Sequence, residues 1–230
     1  MNYITHYMSH YITHYSRYVI ASRPWSFTAS SLPLLYLSLS TNNGLLQPLF
    51  TLTTIQAASN YLNSYSDRHT DDGKGDRTLY DHITPKESIQ LSAVFYCASF
   101  IPYFIPYFIP YFINAATARC TMNVIIIHLA GFTLSILYSS PPFYLKHRLL
   151  GDLTIYLTFH YLILKYYEEL YDENDGMNAD VTADITGLSL LTIGILHGNN
   201  MRDREVDYKN GIRTVANFLP AGGGGVYFAG

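Results

Sequence analysis

Long stretches of this chain carry no charge at all, and nothing else in it restricts the fold so strongly. Pro24–Ser66 contains no Asp, Glu, Lys or Arg, and the same holds for Ser88–Ala118, Cys120–Leu145, Leu153–Leu164, Ile185–Met201 and Thr214–Gly230. A bilayer crossing takes about 20 apolar residues. The first run is therefore long enough for two crossings, broken near Thr41-Asn42-Asn43-Gly44, and most of the others for one each, which bounds the total at about seven. Lipid cannot satisfy an open sheet edge, so these crossings must be helices. The mean hydropathy is only +0.08, but the chain holds 22 Tyr, which that scale scores as polar. A soluble bundle of unusually apolar helices is the alternative, and such lengths of uncharged chain argue against it. The net charge of -3 is too near neutral for a nucleic-acid partner. Cys97 and Cys120 lie in or beside apolar runs and offer neither a disulfide framework nor a metal site. The N-terminus lacks an apolar core flanked by small residues, so the first crossing has to act as its own insertion signal.

Basic residues give these crossings an orientation. With crossings beginning near Pro24, Leu45, Ser88, Thr121, Leu153, Ile185 and Thr214, all but Arg119 and Lys165 of the 14 Lys and Arg fall on one side of the membrane. The positive-inside rule makes that side cytoplasmic. Two acidic segments open on it, Asn60–Leu79 (NYLNSYSDRHTDDGKGDRTL) and His197–Asp207 (HGNNMRDREVD), each directly after an uncharged run.

In the first segment Asn63, Asp67 and Asp71 are four apart, a spacing that stacks an amide and two carboxylates on one face of a helix. The second repeats the pattern with Asp203 and Asp207, preceded by Asn199 and Asn200. Carboxylates converging in a low dielectric repel one another unless divalent cations lie between them. Magnesium suits this best, because it takes hard oxygen ligands and completes its shell with water and phosphate oxygens. Lys74, Arg77, Arg202 and Arg213 lie in or just beyond the same segments, where they can take the remaining phosphate charge. A solvated, charge-balanced loop is the bland alternative for one such stretch. Two copies, each with Asn upstream of paired Asp and each at the end of a crossing, argue against it.

Taken with these motifs, SRYVIASRPWSFTASSLP (Ser16–Pro33), NYLNSYSD (Asn60–Asp67), GDRTLYD (Gly75–Asp81), LYSSPPFYLKHRLLGDL (Leu137–Leu153) and ILHGNNMRDREVDYKNGIRTVA (Ile195–Ala216) resemble the UbiA-type prenyltransferases, and are most similar to the menaquinone branch. The last segment is the most specific. The resemblance implies an all-α, polytopic transmembrane bundle that moves an isoprenyl group from a prenyl diphosphate, geranylgeranyl or similar, to an aromatic quinone precursor. It implies Mg2+ as cofactor, a lipid membrane as host, and, in a eukaryote, the endoplasmic reticulum, Golgi or mitochondrion. Asn63, Asp67 and one of Asp71 or Asp72 match the first magnesium-diphosphate motif, and Asn199, Asn200, Asp203 and Asp207 the second. Asp67, Asp203 and Asp207 would then be the catalytic metal ligands. Tyr138, Lys146 and Asp152 match a further polar segment near the cavity, though Tyr138 is equally suited to be an interfacial anchor.

Several features depart from the family pattern. Asp71-Asp72-Gly73 comes early after Asp67, which leaves open which Asp binds metal. KYYEELYDENDGMNADVTAD (Lys165–Asp184) is acidic where the family is apolar, and Leu153–Leu164 alone is short for a crossing. IPYFIPYFIPYFI (Ile101–Ile113) puts Pro102, Pro106 and Pro110 into an expected helix, each removing a backbone donor. His6, His10 and His14 are four apart in an N-terminal repeat whose low complexity marks it as an expansion rather than a metal site. The expected division is a low-complexity segment over 1–22 and a UbiA-like domain over 23–230. Only Thr214–Gly230 follows the second motif, ending in AGGGGVYFAG, so the bundle is expected to be truncated at its C-terminus and to have little activity alone. A shortened homologue that closes its cavity as a homo-oligomer is the alternative. Among other functions, a transporter would carry its acidic residues mid-span rather than at span ends. A 4-hydroxybenzoate prenyltransferase of ubiquinone synthesis, or an inactive sterol- or quinone-binding scaffold, would keep the same fold.

Overall fold

The structure, a computed structural model, describes residues 16–68, 83–108, 121–171 and 177–218, and the regular elements among them are helices. Residues 16–21 are helical. A left-handed corner at Arg23 then leads into a 3-10 turn, Pro24–Phe27. From it runs α1, Thr28–Thr41, which ends on Asn42 at φ 56°, a left-handed cap that Asn tolerates. The chain turns there, within the Thr41–Gly44 break expected from the sequence, into α2, Leu46–Asp67.

The next helix, α3 (Pro85–Ala98), begins with a reciprocal cap. The Thr84 hydroxyl accepts from the Glu87 amide at 3.2 Å, and the Glu87 carboxylate accepts from the Thr84 amide at 2.7 Å. Tyr18 and Arg17 also bond to Glu87, at 2.8 and 3.1 Å, which ties the N-terminal stretch to this cap. Hydrogen bonding from Thr84 and then Tyr18 holds the Glu87 carboxyl down to about 2. The helix breaks at Ser99–Phe100 and resumes as α4, Ile101–Phe108. Pro102 therefore sits in a first turn, where its missing donor costs nothing. Pro110, like His6, His10 and His14, lies outside the described residues.

The Thr121 hydroxyl caps α5, Met122–Ser139. Beyond it, α6 (Gly151–Tyr156) passes through a π turn, Leu157–Leu162, into α7, Ile163–Tyr171. The Ser189 hydroxyl donates to the Phe159 carbonyl within that turn at 3.0 Å. This helical run outlasts the uncharged Leu153–Leu164 segment and takes in part of the acidic stretch. Tyr166, Tyr167 and Leu170 are buried there, while Lys165 is exposed and pairs with Glu168 at 2.5 Å. Helix α8, Ala179–Arg202, is capped by Asn178 and is followed by two short helices, α9 (Arg204–Lys209) and α10 (Val215–Phe218).

Packing follows the rules of helices in lipid, where small residues and hydroxyls take the place of a hydrophobic drive. The most extensive pairing is α2 on α3. Ala57 and Ala58 let the backbones approach, and Ser88 and Ser92 donate to the Tyr61 and Ala58 carbonyls at 2.6 and 2.9 Å. Each such bond contributes on the order of 0.6 kcal/mol. A second core joins Leu34 and Leu37 of α1 to Ile163, Leu164 and Tyr167 of α7 and Ile185 of α8. Among the described residues two helices are long and apolar enough to cross a membrane, α5 and α8, and only 17% and 11% of their spans are buried within the protein. Ile126 on α5, and Leu190, Leu191 and Ile195 on α8, are more than half exposed. Apolar helices with faces so bare belong in lipid rather than in a water-soluble core.

Candidate functional site

The two acidic segments meet. One cavity of about 150 Å³ is lined by Asn63 and Asp67 from the end of α2, and by Asn199, Asn200, Arg202, Asp203 and Asp207 from the end of α8 and from α9. Between them stand the end of α5, the loop that follows and the start of α6, which bring Tyr138, Lys146, His147, Gly151 and Asp152 to the same wall.

The four-residue spacing falls on helical backbone in the described part of both segments. Asn63 and Asp67 lie one turn apart at the end of α2. In the second segment the helix breaks at Asp203 (φ -91°, ψ 4°), yet the i to i+4 bonds persist across the break. The Asp203 amide donates to the Asn199 carbonyl at 3.0 Å and the Asp207 amide to the Asp203 carbonyl at 2.9 Å. Asp71, Asp72, Lys74 and Arg77 lie outside the described residues.

Lys146 pairs with the first segment. Its ammonium donates to both Asp67 carboxylate oxygens, at 2.5 and 2.6 Å, and to the Asn63 side-chain oxygen. Both ends of the ion pair are well buried, the side chains being 10% and 8% exposed. Ser139 donates to the same Asn63 oxygen at 3.0 Å, and His147 Nε2 lies 3.7 Å from Asp67. Burial pushes the Asp67 carboxyl up. The Lys146 charge and the hydrogen bonds from His147 and Lys146 outweigh it, and the group is held well below the usual carboxylate range.

Backbone contacts fix this loop against the second segment. The Leu149 amide donates to the Arg213 carbonyl at 2.8 Å, and the Arg213 amide to the His147 carbonyl at 3.0 Å. Arg148 and Arg213 thus form an isolated parallel bridge. The Ile212 amide donates to the Asp207 carbonyl at 2.9 Å, which folds the chain after α9 back under the cavity. Gly151 sits at a close approach, since a Cβ on it would lie 3.3 Å from the Lys146 Cα. Arg23, Tyr144 and Leu149 all have left-handed backbones, at φ 53°, 43° and 64°. Such conformations in non-glycine residues cost about 1–3 kcal/mol each and gather at functional sites.

One expectation changes, at Arg213. Four carboxylates line the cavity wall, Asp67, Asp152, Asp203 and Asp207. Among the described residues no three His, Cys, Asp or Glu side chains form a metal nest. Two of the four carboxylates carry cationic partners: Lys146 on Asp67, and Arg202 forked onto Asp203 at 2.9 and 2.8 Å. Arg213, expected to bind phosphate, is exposed and lies over the Tyr208 ring at 5.2 Å, away from the cavity wall. Its contribution to the site is its backbone. Conversely, Arg23 and His147 line the cavity without having been singled out, and His197 packs behind Asp152 at 3.3 Å. For Arg23 the signal available was an Arg-Pro step at the start of the first uncharged run.

The donor set fits magnesium bound together with an anion. Mg2+ needs only one or two carboxylates when waters and phosphate oxygens complete its octahedron. Two separated acidic poles, Asp67 on one side and Asp203 with Asp207 on the other, leave room for a polyanion between them.

Fold and site together define an all-α, UbiA-like bundle with paired Asn/Asp segments around one polar cavity. The model of the UbiA prenyltransferase family matches residues 25–228, and the chain belongs to that family. It is 30% identical over 220 residues to the UbiA prenyltransferase domain-containing protein 1 homolog of Drosophila melanogaster, covering 86% of this chain and 56% of that protein. It is 31% identical over 216 residues to UbiA prenyltransferase domain-containing protein 1 of Rattus norvegicus, covering 86% and 60%. The chain thus spans less than two thirds of the length of these relatives. Among solved structures it is similar to a UbiA homolog from Archaeoglobus fulgidus bound to GPP and Mg2+, with a TM-score of 0.65 at 17% identity over 89% of this chain and 70% of that one. It is also similar to a digeranylgeranylglyceryl phosphate synthase, with a TM-score of 0.59 at 20% identity over 94% and 72%.

Proposed function

We propose that this chain is a magnesium-dependent membrane prenyltransferase that moves an isoprenyl group from a prenyl diphosphate to an aromatic quinone precursor, in the manner of the menaquinone branch. The observation that carries this reading is one cavity lined by both Asn/Asp segments, with Lys146 paired to Asp67 at its wall. In the reaction, the bond between the prenyl carbon and the diphosphate oxygen breaks, a carbon–carbon bond to the ring forms, and the ring loses a proton. Bound magnesium supplies charge to the departing diphosphate.

Asp67, Asp203 and Asp207 are the residues to hold the metal, with Asp71 or Asp72 as a further ligand. Asn63, Asn199 and Asn200 offer amides to the diphosphate oxygens. Lys146 and Arg202, now on carboxylates, can transfer their hydrogen bonds to phosphate; Lys74 and Arg77 are proposed to add to them. Tyr138, Leu196, Ile212 and Val215 form the less polar part of the wall, suited to keeping water from an allylic cation. The chain is read as multi-pass, with both acidic segments on the cytoplasmic side, on the support of its basic-residue asymmetry.

The test is to incubate membranes carrying the protein with geranylgeranyl diphosphate, magnesium, and either a naphthoquinol or 4-hydroxybenzoate, and to identify the product by mass. A prenylated naphthoquinol that disappears on chelation, and falls by orders of magnitude in Asp67→Asn and Asp203→Asn, is the expected result. Prenylated 4-hydroxybenzoate would move the protein to ubiquinone synthesis. Near-normal transfer by either variant at limiting magnesium would sink the assignment of the metal site.

A further inference from the structure

Arg23 belongs to neither acidic segment, yet it lines the same cavity as Asn63, Asp67 and Lys146. Its surroundings are unusual for a cation. The Nε atom is buried from solvent with no hydrogen-bond acceptor among the described residues. A buried guanidinium donor without an acceptor is costly to keep. The cavity's other Lys and Arg side chains are already engaged, Lys146 with Asp67 and Arg202 with Asp203.

The backbone is held in place with equal care. Arg23 adopts φ 53° and ψ 60° directly before Pro24, a left-handed conformation that an L residue keeps only when its neighbours enforce it. Its amide donates to the Ile20 carbonyl at 2.9 Å. Its carbonyl accepts from both the amide and the hydroxyl of Ser26 at 2.8 Å. From α2, the Asn60 amide donates to the Ser22 carbonyl at 2.7 Å and to the Ser26 hydroxyl at 2.9 Å, gripping the corner on both sides. Gln56, one turn earlier, donates to the Ser26 carbonyl at 2.6 Å. The helix that ends in Asn63 and Asp67 therefore also fixes the backbone from which Arg23 reaches the cavity.

We propose that Arg23 is a phosphate-binding residue of this cavity, presented by a left-handed corner that Asn60 locks in position. The ligand class is a diphosphate ester, whose oxygens match the planar fork of a guanidinium better than they match an ammonium. Asn60 acts through Arg23 and is a positioning residue. The proposal rests on the reading of the cavity as a magnesium-diphosphate site.

The experiment measures binding of inorganic pyrophosphate, in the presence of magnesium, to the whole chain in detergent by titration calorimetry. Arg23→Gln is expected to weaken pyrophosphate binding at least tenfold. Arg23→Lys keeps charge and stem without the fork, and should fall between Arg23→Gln and the unaltered protein. Asn60→Ala should shift the same affinity in the same direction. Arg23→Lys also guards against a glutamine variant that fails to fold. Equal pyrophosphate affinity in the unaltered protein and both Arg23 variants overturns the proposal and leaves the magnesium-diphosphate reading standing. Absence of pyrophosphate binding by the unaltered protein overturns both.

Discussion

Replacing Lys146 by Met tests whether one buried ion pair holds the cavity together. At the 2.6 Å separation from Asp67 Oδ2, an effective dielectric of about 20 gives an attraction of about 6 kcal/mol. Desolvation of two charges costs several kcal/mol and offsets most of it, so the pair as a whole is worth little. Breaking it is another matter. Lys146→Met leaves the Asp67 carboxylate, 8% exposed, without its main cation, and removing one partner of a buried pair costs about 3–5 kcal/mol. Adding Asp67→Asn to that variant removes the stranded charge, and most of the loss should return. The assay is unfolding in detergent of the unaltered protein, both single variants and the double variant, followed by fluorescence of Trp25, the chain's one tryptophan. The double-mutant cycle should give a coupling of roughly 3 kcal/mol. A loss below about 1 kcal/mol in Lys146→Met, or a double variant no more stable than Lys146→Met, would show that the pair is not structurally buried as described.

The same pair makes a statement about pH. The Asp67 carboxyl is depressed in the folded protein, so its contribution is fully present above the ordinary carboxylate value of about 3.9 and is lost only as pH falls through the lower folded value. The stability difference between the unaltered protein and Asp67→Asn should be flat from about pH 7.5 to 5 and shrink below about 4; a difference already halved at about pH 5.5 would contradict it. Orientation is open to impermeant thiol reagents. With Cys97 and Cys120 replaced by Ser, single cysteines at Gly75 and at the exposed Asn210 should both label from the cytosolic side, and labelling from opposite sides would separate the two acidic segments that the cavity needs together.

Much of the helical layout was legible in the chain. The Asn42 break and the four-residue Asn/Asp spacings are local, and each acts within one or two turns of its own residues. The uncharged runs mark most of the helices for the same reason. The limits of that reading appear at α7, where the helix outlasts the uncharged run because Tyr166, Tyr167 and Leu170 find partners on other helices. Pro102, taken as a lost donor, falls harmlessly in a first turn because the helix before it breaks at Ser99–Phe100.

The site divides in the same way. Sequence spacing placed Asn63 with Asp67, and Asn199 with Asp203, on shared helix faces, but it is silent on which faces meet. Lys146 reaches Asp67 across 79 positions of chain. The Arg148–Arg213 bridge, not any motif, swings the Lys146 loop against the second acidic segment. Arg213 shows the cost of reading roles from proximity in sequence, since its backbone builds the site while its side chain rests on exposed Tyr208. Arg23 shows the converse: it lines the cavity from a left-handed corner that Asn60, on another helix, hydrogen-bonds on both flanks. Periodicity and caps are written into neighbouring residues because helical hydrogen bonds span only four positions. The pairing of distant loops depends on contacts that form only once the helices have packed.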